Sequence, residues 1–68
     1  MTEQEKSILM TAKLAGATKV MIDMFPFNKN DILFLDDRNK EVFTIEEDFL
    51  FEFLDTNKIY NIDEVSDC

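Results

Sequence analysis

The hydrophobic positions near the start of the chain repeat with the period of a helix. Residues spaced three or four apart share one apolar face: Ile8, Leu9, Ala12 and Ala15. Thr2 and Glu5 have the spacing of a capping box, in which each side chain satisfies a free backbone N–H of the first turn. Gly16 is a typical helix stop because glycine adopts a left-handed backbone without strain. We therefore predict a first helix over residues 3–15.

From Thr18 onward the hydrophobic period changes to two, which is typical of strands. Apolar and other residues alternate over residues 20–25, and residues 32–35 are apolar on both faces, as expected of a central strand. The turn-forming residues 28–31 separate these two segments. The charged residues 36–40 then form a hairpin loop that returns into Glu41-Val42-Phe43. The pattern predicts a three-stranded antiparallel meander.

A second capping-box pattern follows the third predicted strand directly. Thr44-Ile45-Glu46-Glu47 has the required spacing, so we predict a second helix over residues 45–56 with Asn57 as its stop. Its buried stripe consists of Ile45, Phe49, Leu50, Phe53 and Leu54. The tail from Lys58 fits either a short strand or a turn of helix, and we favour the strand.

These elements define the fold class as α+β in a single small acidic domain, residues 1–68. The expected order is helix, three-stranded antiparallel meander, helix and short extended tail (αβββα), with the tail as an optional fourth short strand. Both helices are expected on one face of the sheet. The 46% apolar and 12% aromatic content favours a folded chain over a disordered one.

The residue types needed for common catalytic and metal sites are scarce. The chain has no histidine, one cysteine and one glycine, so it lacks the usual general base, a CxxC zinc site and a phosphate-cradling loop. The acidic turn 36–41 lacks the spacing of a calcium loop. We therefore expect no enzyme, no catalytic residue, no cofactor and no metal site. No apolar run approaches the roughly 18 residues needed to span a bilayer, so we expect no membrane partner and a cytoplasmic location.

Charge is distributed unevenly along the chain, which has a formal net charge of −8 and is a poor match for nucleic-acid phosphates. Residues 1–30 carry a net +1, whereas residues 31–68 carry a net −9. The predicted second helix holds five acids and no base: Glu46, Glu47, Asp48, Glu52 and Asp55. Their spacing of roughly 3 Å along a helix axis is close to the phosphate repeat of one DNA strand. The helix dipole accounts for the first three acids without a partner, but not for Glu52 and Asp55.

Two aromatic segments are candidate contact points. Phe51 projects away from the buried stripe of the predicted helix and lies one turn from Glu47 and from Asp55. It either anchors a basic partner or is covered by the tail. Phe25-Pro26-Phe27 either closes the sheet edge or forms a docking knob. The predicted partner-binding residues are Glu47, Asp48, Phe51, Glu52, Asp55, Phe25 and Phe27.

The chain's small size, acidity, aromatic content and lack of catalytic residues give it a recognisable general character. In this it resembles the small inhibitors encoded by phages and mobile elements, such as anti-restriction proteins, anti-CRISPR proteins and inhibitors of uracil-DNA glycosylase. The resemblance implies that the acidic face occludes a basic nucleic-acid-binding surface of a target protein in the host cytoplasm. The alternative is a structural or regulatory module. Seven phenylalanines in so small a domain predict a homodimer or a stable complex in either case.

Overall fold

The chain folds as a four-stranded antiparallel sheet with one helix before it and one after it. A computed structural model describes residues 1–24, 30–47 and 49–67. The elements are α1 (Glu3–Leu14), β1 (Lys19–Met24), β2 (Asn30–Leu35), β3 (Glu41–Glu46), β4 (Ile59–Asn61) and α2 (Ile62–Ser66). The strand order across the sheet is β3-β2-β1-β4. This confirms the α+β class, the three-stranded meander and the fourth short strand.

Helix α1 begins and ends where the sequence predicts, to within one residue. The Thr2 hydroxyl accepts from the Glu5 N–H at 3.2 Å, and the Glu5 carboxylate accepts from the Thr2 N–H at 2.8 Å. These two bonds form the capping box. Gly16 has a φ of 101°, so the chain leaves the helix through a backbone conformation that glycine adopts without strain.

The hairpin between β2 and β3 is held by one carboxylate. Asp36 Oδ1 accepts from the backbone N–H groups of Arg38 at 2.8 Å and Lys40 at 3.0 Å. Donation from Lys40 and from Arg38 holds the pKa of Asp36 below its ordinary value. Asn39 takes the left-handed conformation at a φ of 61°, which asparagine tolerates well. The predicted loop over residues 36–40 is confirmed.

The core lies on one face of the sheet, because alternate residues of the strands point to it. Val20 pairs with Phe34, which in turn pairs with Phe43, and Ile22 pairs with Ile32. The rings of Phe34 and Phe43 stack with centroids 4.7 Å apart. Both helices add side chains to this face: Leu9 and Ala12 from α1, and Ile62 and Val65 from α2. The molecule measures 16 Å along its shortest axis, which suits one layer of helices on one sheet.

The predicted second helix over residues 45–56 is wrong in position. Strand β3 continues through Thr44, Ile45 and Glu46, which pair with Leu33, Ile32 and Asp31 of β2. The capping-box spacing therefore belongs to an edge strand. Pairing with β2 places Ile45 on the core face, and this tertiary contact overrides the local capping signal.

The two alternatives for the tail occur in succession. Residues Ile59–Asn61 form β4 against β1, and Ile62–Ser66 form α2. Lys13 Nζ lies 2.7 Å from Asp63 Oδ1, which joins α1 to α2 on the surface. The second helix on the core face is thus this C-terminal helix. Across the described ranges, no helix has the length and apolar character needed to cross a bilayer.

Candidate functional site

The candidate site is the loop between β3 and β4, residues 47–58, which we call the 47–58 loop. Three of its side chains enter the core: Leu50, Phe51 and Leu54. At its far end, the Asn57 N–H donates to the Ile22 carbonyl at 2.7 Å. The Asp55 N–H donates to the Tyr60 hydroxyl at 3.1 Å. The loop is therefore fixed to the sheet at several points although it has no regular secondary structure in its described residues.

A buried carboxylate joins this loop to the first turn of α1. Glu5 Oε2 accepts from the Phe51 N–H at 2.6 Å, while Oε1 accepts from the Thr2 N–H. Burial raises the pKa of Glu5, but hydrogen bonds from Thr2 and Phe51 outweigh burial and hold this pKa below its ordinary value. Glu5 stays ionised at neutral pH and fixes the loop backbone against the helix.

The three phenylalanines of the loop have the reverse of the burial that the helical pattern predicts. Phe51 is 0% exposed, whereas Phe49 is 82% exposed and Phe53 is 50% exposed. The interpretation of Phe51 as a surface anchor is wrong. It belongs to one core cluster with Ile62 and Val65 of the tail, as the alternative expected. The assignment of Phe49 and Phe53 to a buried stripe is also wrong, because residues 49–56 do not form a helix.

The backbone of the loop explains this reversal. Phe49 has a φ of 70° and Phe51 a φ of 55°, both in the left-handed region that bulky residues rarely adopt. Turns at these two positions direct Leu50 and Phe51 inward and leave Phe49 outside. Residues held in sparsely populated backbone conformations are often found at functional sites. The sequence offers no glycine or asparagine there to signal such turns.

The acidic residues predicted to contact a partner are only partly within the described residues. Glu47, Glu52 and Asp55 are exposed in the 47–58 loop. The Gln4 amide donates to Glu47 Oε2 at 3.3 Å. Asp48, Phe25 and Phe27 lie outside the described residues. The predicted regular spacing of acids along a helix is wrong, because residues 49–56 do not form a helix. Three of the predicted acids still lie in one exposed loop.

A second set of acids, which the sequence analysis missed, lies on the sheet face away from the core. Asp23 pairs with Asp31, and Asp31 pairs with Glu46, so three adjacent strands carry carboxylates side by side. We call these three residues the acidic row. Like charges directly opposite each other destabilise a sheet. The acidic row depends on strand register, which sequence spacing alone does not define.

An apolar groove lies along the outer flank of α1. It has a volume of about 450 Å³, and Lys6, Leu9, Met10, Lys13 and Leu14 are among its lining residues. Met10 is 65% exposed and Leu14 is 85% exposed. Lys6 lies 3.7 Å from Glu3 and Lys13 lies 2.7 Å from Asp63. The groove thus has an apolar floor and lysines that already have carboxylate neighbours.

In the part of the chain that is described, no group of three or more acidic or cysteine side chains has a geometry that could hold a metal ion. No family model, curated protein or solved structure matches this chain. The surfaces of the molecule itself are therefore the basis on which its function can be inferred.

Proposed function

We propose that the protein is a non-enzymatic, protein-binding inhibitor whose 47–58 loop occludes a basic nucleic-acid-binding surface of its target. The observation that carries this proposal is Phe49, a largely exposed ring on a strained backbone that lies close in the chain to the exposed Glu47 and Glu52. An aromatic ring with a charged rim is a common composition for the centre of a protein interface. The proposal includes a cytoplasmic target and an origin in a phage or mobile element, following the compositional resemblance.

The charge of the loop supports a basic partner. Its four acids, Glu47, Asp48, Glu52 and Asp55, are opposed by Lys58 alone. Acids presented to the lysines and arginines that hold phosphates would compete with nucleic acid for the same groups. Such charges contribute mainly to association rate and specificity, while Phe49 contributes at short range to the dissociation rate.

The test is a competition experiment on a partner captured from host lysate. The captured protein is loaded with a fluorescent duplex oligonucleotide, and displacement by the wild-type chain is measured. The double variant Glu52→Lys/Asp55→Lys should lose displacement, as should Phe49→Ala. The variant Asp37→Lys/Asp67→Lys makes the same change in net charge away from the loop and should retain it. Equal displacement by both double variants, or a captured partner that binds no nucleic acid, contradicts the proposal.

The alternative is a homodimer or subunit contact through exposed phenylalanines. The same exposed Phe49 and Phe53 favour it, whereas two copies that each carry a net charge of −8 repel one another. The two functions respond to salt in opposite directions, because screening weakens contact with a basic partner and strengthens contact between like-charged copies. Sedimentation at low and high salt distinguishes an 8.0 kDa chain from a dimer.

A further inference from the structure

Strand β3 is an unpaired edge of the sheet. It has six residues, Glu41–Glu46, and pairs with β2 on one side. Among the described residues, no strand pairs with its other side. The opposite edge differs. Strand β4 has only three residues, and Thr56, which precedes it, forms an isolated bridge with Ile22 of β1. An unpaired edge of this length presents free backbone donors and acceptors to another chain.

The hydrogen bonds of the sheet identify which backbone groups of β3 point outward. The Leu35 carbonyl accepts from the Thr18 N–H, so it faces β1 and not β3. Backbone groups alternate in direction along a strand, so Ile32 and Phe34 face β3. Their partners Ile45 and Phe43 use their own backbone groups within the sheet. The N–H and C=O groups of Thr44 therefore point away from the sheet.

The same conclusion follows from the other side of the sheet. The Ile22 carbonyl accepts from the Asn57 N–H, on the side of β1 away from β2. The neighbouring odd-numbered residues of β1 then face odd-numbered residues of β2, in agreement with the direction of Leu35. Two independent hydrogen bonds thus assign the same direction to the backbone groups of each strand. The backbone groups of Glu46 point outward, as those of Thr44 do.

The two faces of this edge have different chemistry. Phe43 and Ile45 lie on the core face, pack against the core cluster and are only half-buried. Thr44 and Glu46 are exposed on the opposite face, where their partners are Leu33 and Asp31. Beyond a register shift between Phe34 and Leu35, Glu41 is paired with Leu35 on that face too. One face of the edge is therefore apolar and the other is acidic.

We propose that β3 binds an extended segment of a partner protein as an added strand, one in which apolar residues alternate with lysine or arginine. The apolar side chains would extend the core face beside Phe43 and Ile45. The basic side chains would lie beside Thr44 and Glu46, where Asp31 and Asp23 of the acidic row provide further negative charge. The basic character of the segment rests on the proposed function, whereas its extended conformation rests on the unpaired edge alone.

A second copy of this chain is a poor occupant of the edge. Each copy carries a net charge of −8. In an antiparallel pair centred on Thr44, Glu41 of one copy would lie opposite Glu47 of the other. Like charges directly opposite each other destabilise such a pair. Charge complementarity therefore favours a basic strand over self-pairing.

The test uses a fluorescent synthetic peptide of alternating lysine and valine, and measures its affinity by anisotropy. Thr44→Pro removes the outward N–H without removing a β2–β3 hydrogen bond, since proline is tolerated at a solvent-facing edge position. Thr44→Val keeps the N–H and is the matched control. Neither change alters the charge of the protein, so non-specific attraction is the same in both variants. We expect Thr44→Pro to bind about tenfold more weakly than Thr44→Val. Equal affinities would overturn the proposal.

A second measurement decides the matter if Thr44→Pro fails to fold. Hydrogen exchange in the wild-type chain should slow by about tenfold or more at the Thr44 and Glu46 amides when the peptide is added. The Phe43 and Ile45 amides, already used within the sheet, should change less. Unchanged exchange at Thr44 and Glu46 in the presence of bound peptide would overturn the added strand.

The same variants separate this proposal from the proposed function. If Thr44→Pro still displaces the oligonucleotide from the captured partner while Glu52→Lys/Asp55→Lys does not, the added strand is wrong and the occluding loop stands. If the loop variant displaces normally and Thr44→Pro does not bind the peptide, the loop is wrong and the edge site stands. Failure of the added strand and failure of the occluding loop therefore give different results with these variants.

Discussion

At the scale of single residues, Glu5 connects two separate parts of the fold. Its carboxylate accepts from Thr2 in the first turn and from Phe51, 46 positions further along the chain. A buried carboxylate is stable as a charged group only when hydrogen bonds replace its lost hydration. Glu5 therefore has a structural role that its position in the capping box only partly reveals.

Replacing Glu5 with alanine should destabilise the protein by about 2–3 kcal/mol, because it removes two hydrogen bonds to a charged acceptor and leaves the Phe51 N–H without a partner. Urea unfolding monitored by circular dichroism measures the loss. Glu3→Ala is the control, since Glu3 is exposed in the same helical turn and should cause a much smaller change. Equal losses for the two variants would contradict the role of Glu5.

The pH dependence of stability should reveal the contribution of the Glu5 carboxylate. Because the pKa of Glu5 is lowered in the folded state, folding is favoured by its ionised form. Its contribution is complete above the ordinary value of 4.5 and is lost as the pH falls through the lowered pKa. Wild type should therefore lose more stability below pH 4.5 than Glu5→Gln does. Parallel acid-unfolding curves would show that Glu5 makes no such contribution.

Phe49 should lower the stability of the protein through its strained backbone while its ring contributes to binding. Phe49→Ala keeps a residue with a side chain at a positive φ, whereas Phe49→Gly relieves the strain. We expect the glycine variant to be more stable than the alanine variant by about 1 kcal/mol, measured by urea unfolding. Both should lose partner displacement because both lack the ring. If the alanine variant is equally stable, the loop backbone is not strained at this position.

At the scale of elements, the sequence predicts well wherever local signals and tertiary pairing agree. The Thr2–Glu5 capping box, the Gly16 stop and the loop over residues 36–40 each combine a period with specific turn chemistry. The same capping signal at Thr44 is misleading, because Val42, Phe43 and Ile45 also suit a strand and β2 supplies the pairing. Period alone does not separate these outcomes over so short a segment.

The capping interpretation and the strand make different predictions for Thr44. A helix cap loses about 1 kcal/mol when its hydroxyl is removed, as we expect for Thr2→Ala. In an edge strand, Thr44→Val retains a β-branched residue and should change stability by less than about 0.5 kcal/mol. Thermal unfolding of both variants tests the difference. A loss at Thr44→Val as large as at Thr2→Ala would favour a cap.

The candidate site was less predictable than the fold for a reason specific to its geometry. That an acidic and aromatic segment follows the meander is visible in the sequence. Which ring faces out depends on positive φ values at Phe49 and Phe51, and no residue type there indicates them. The acidic row depends likewise on register between strands distant in the chain.

At the scale of the whole molecule, the excess of negative charge should make salt act oppositely on folding and on binding. Raising sodium chloride from about 0.1 M to about 1 M shortens the Debye length from about 10 Å to about 3 Å. Screening reduces repulsion within a chain of net charge −8, so the melting temperature should rise. Affinity for a basic partner should fall over the same range. If both quantities move together, the binding surface is not the acidic one.

The hydrogen bond between Glu5 and Phe51 also constrains how this surface arises during synthesis. Because its two ends are 46 residues apart, this hydrogen bond can form only after both segments have been synthesised and packed together. A fragment containing the loop alone lacks the carboxylate that orders it. The proposed inhibition should therefore be a property of the folded domain, and a degraded or truncated chain should lose the proposed binding surface.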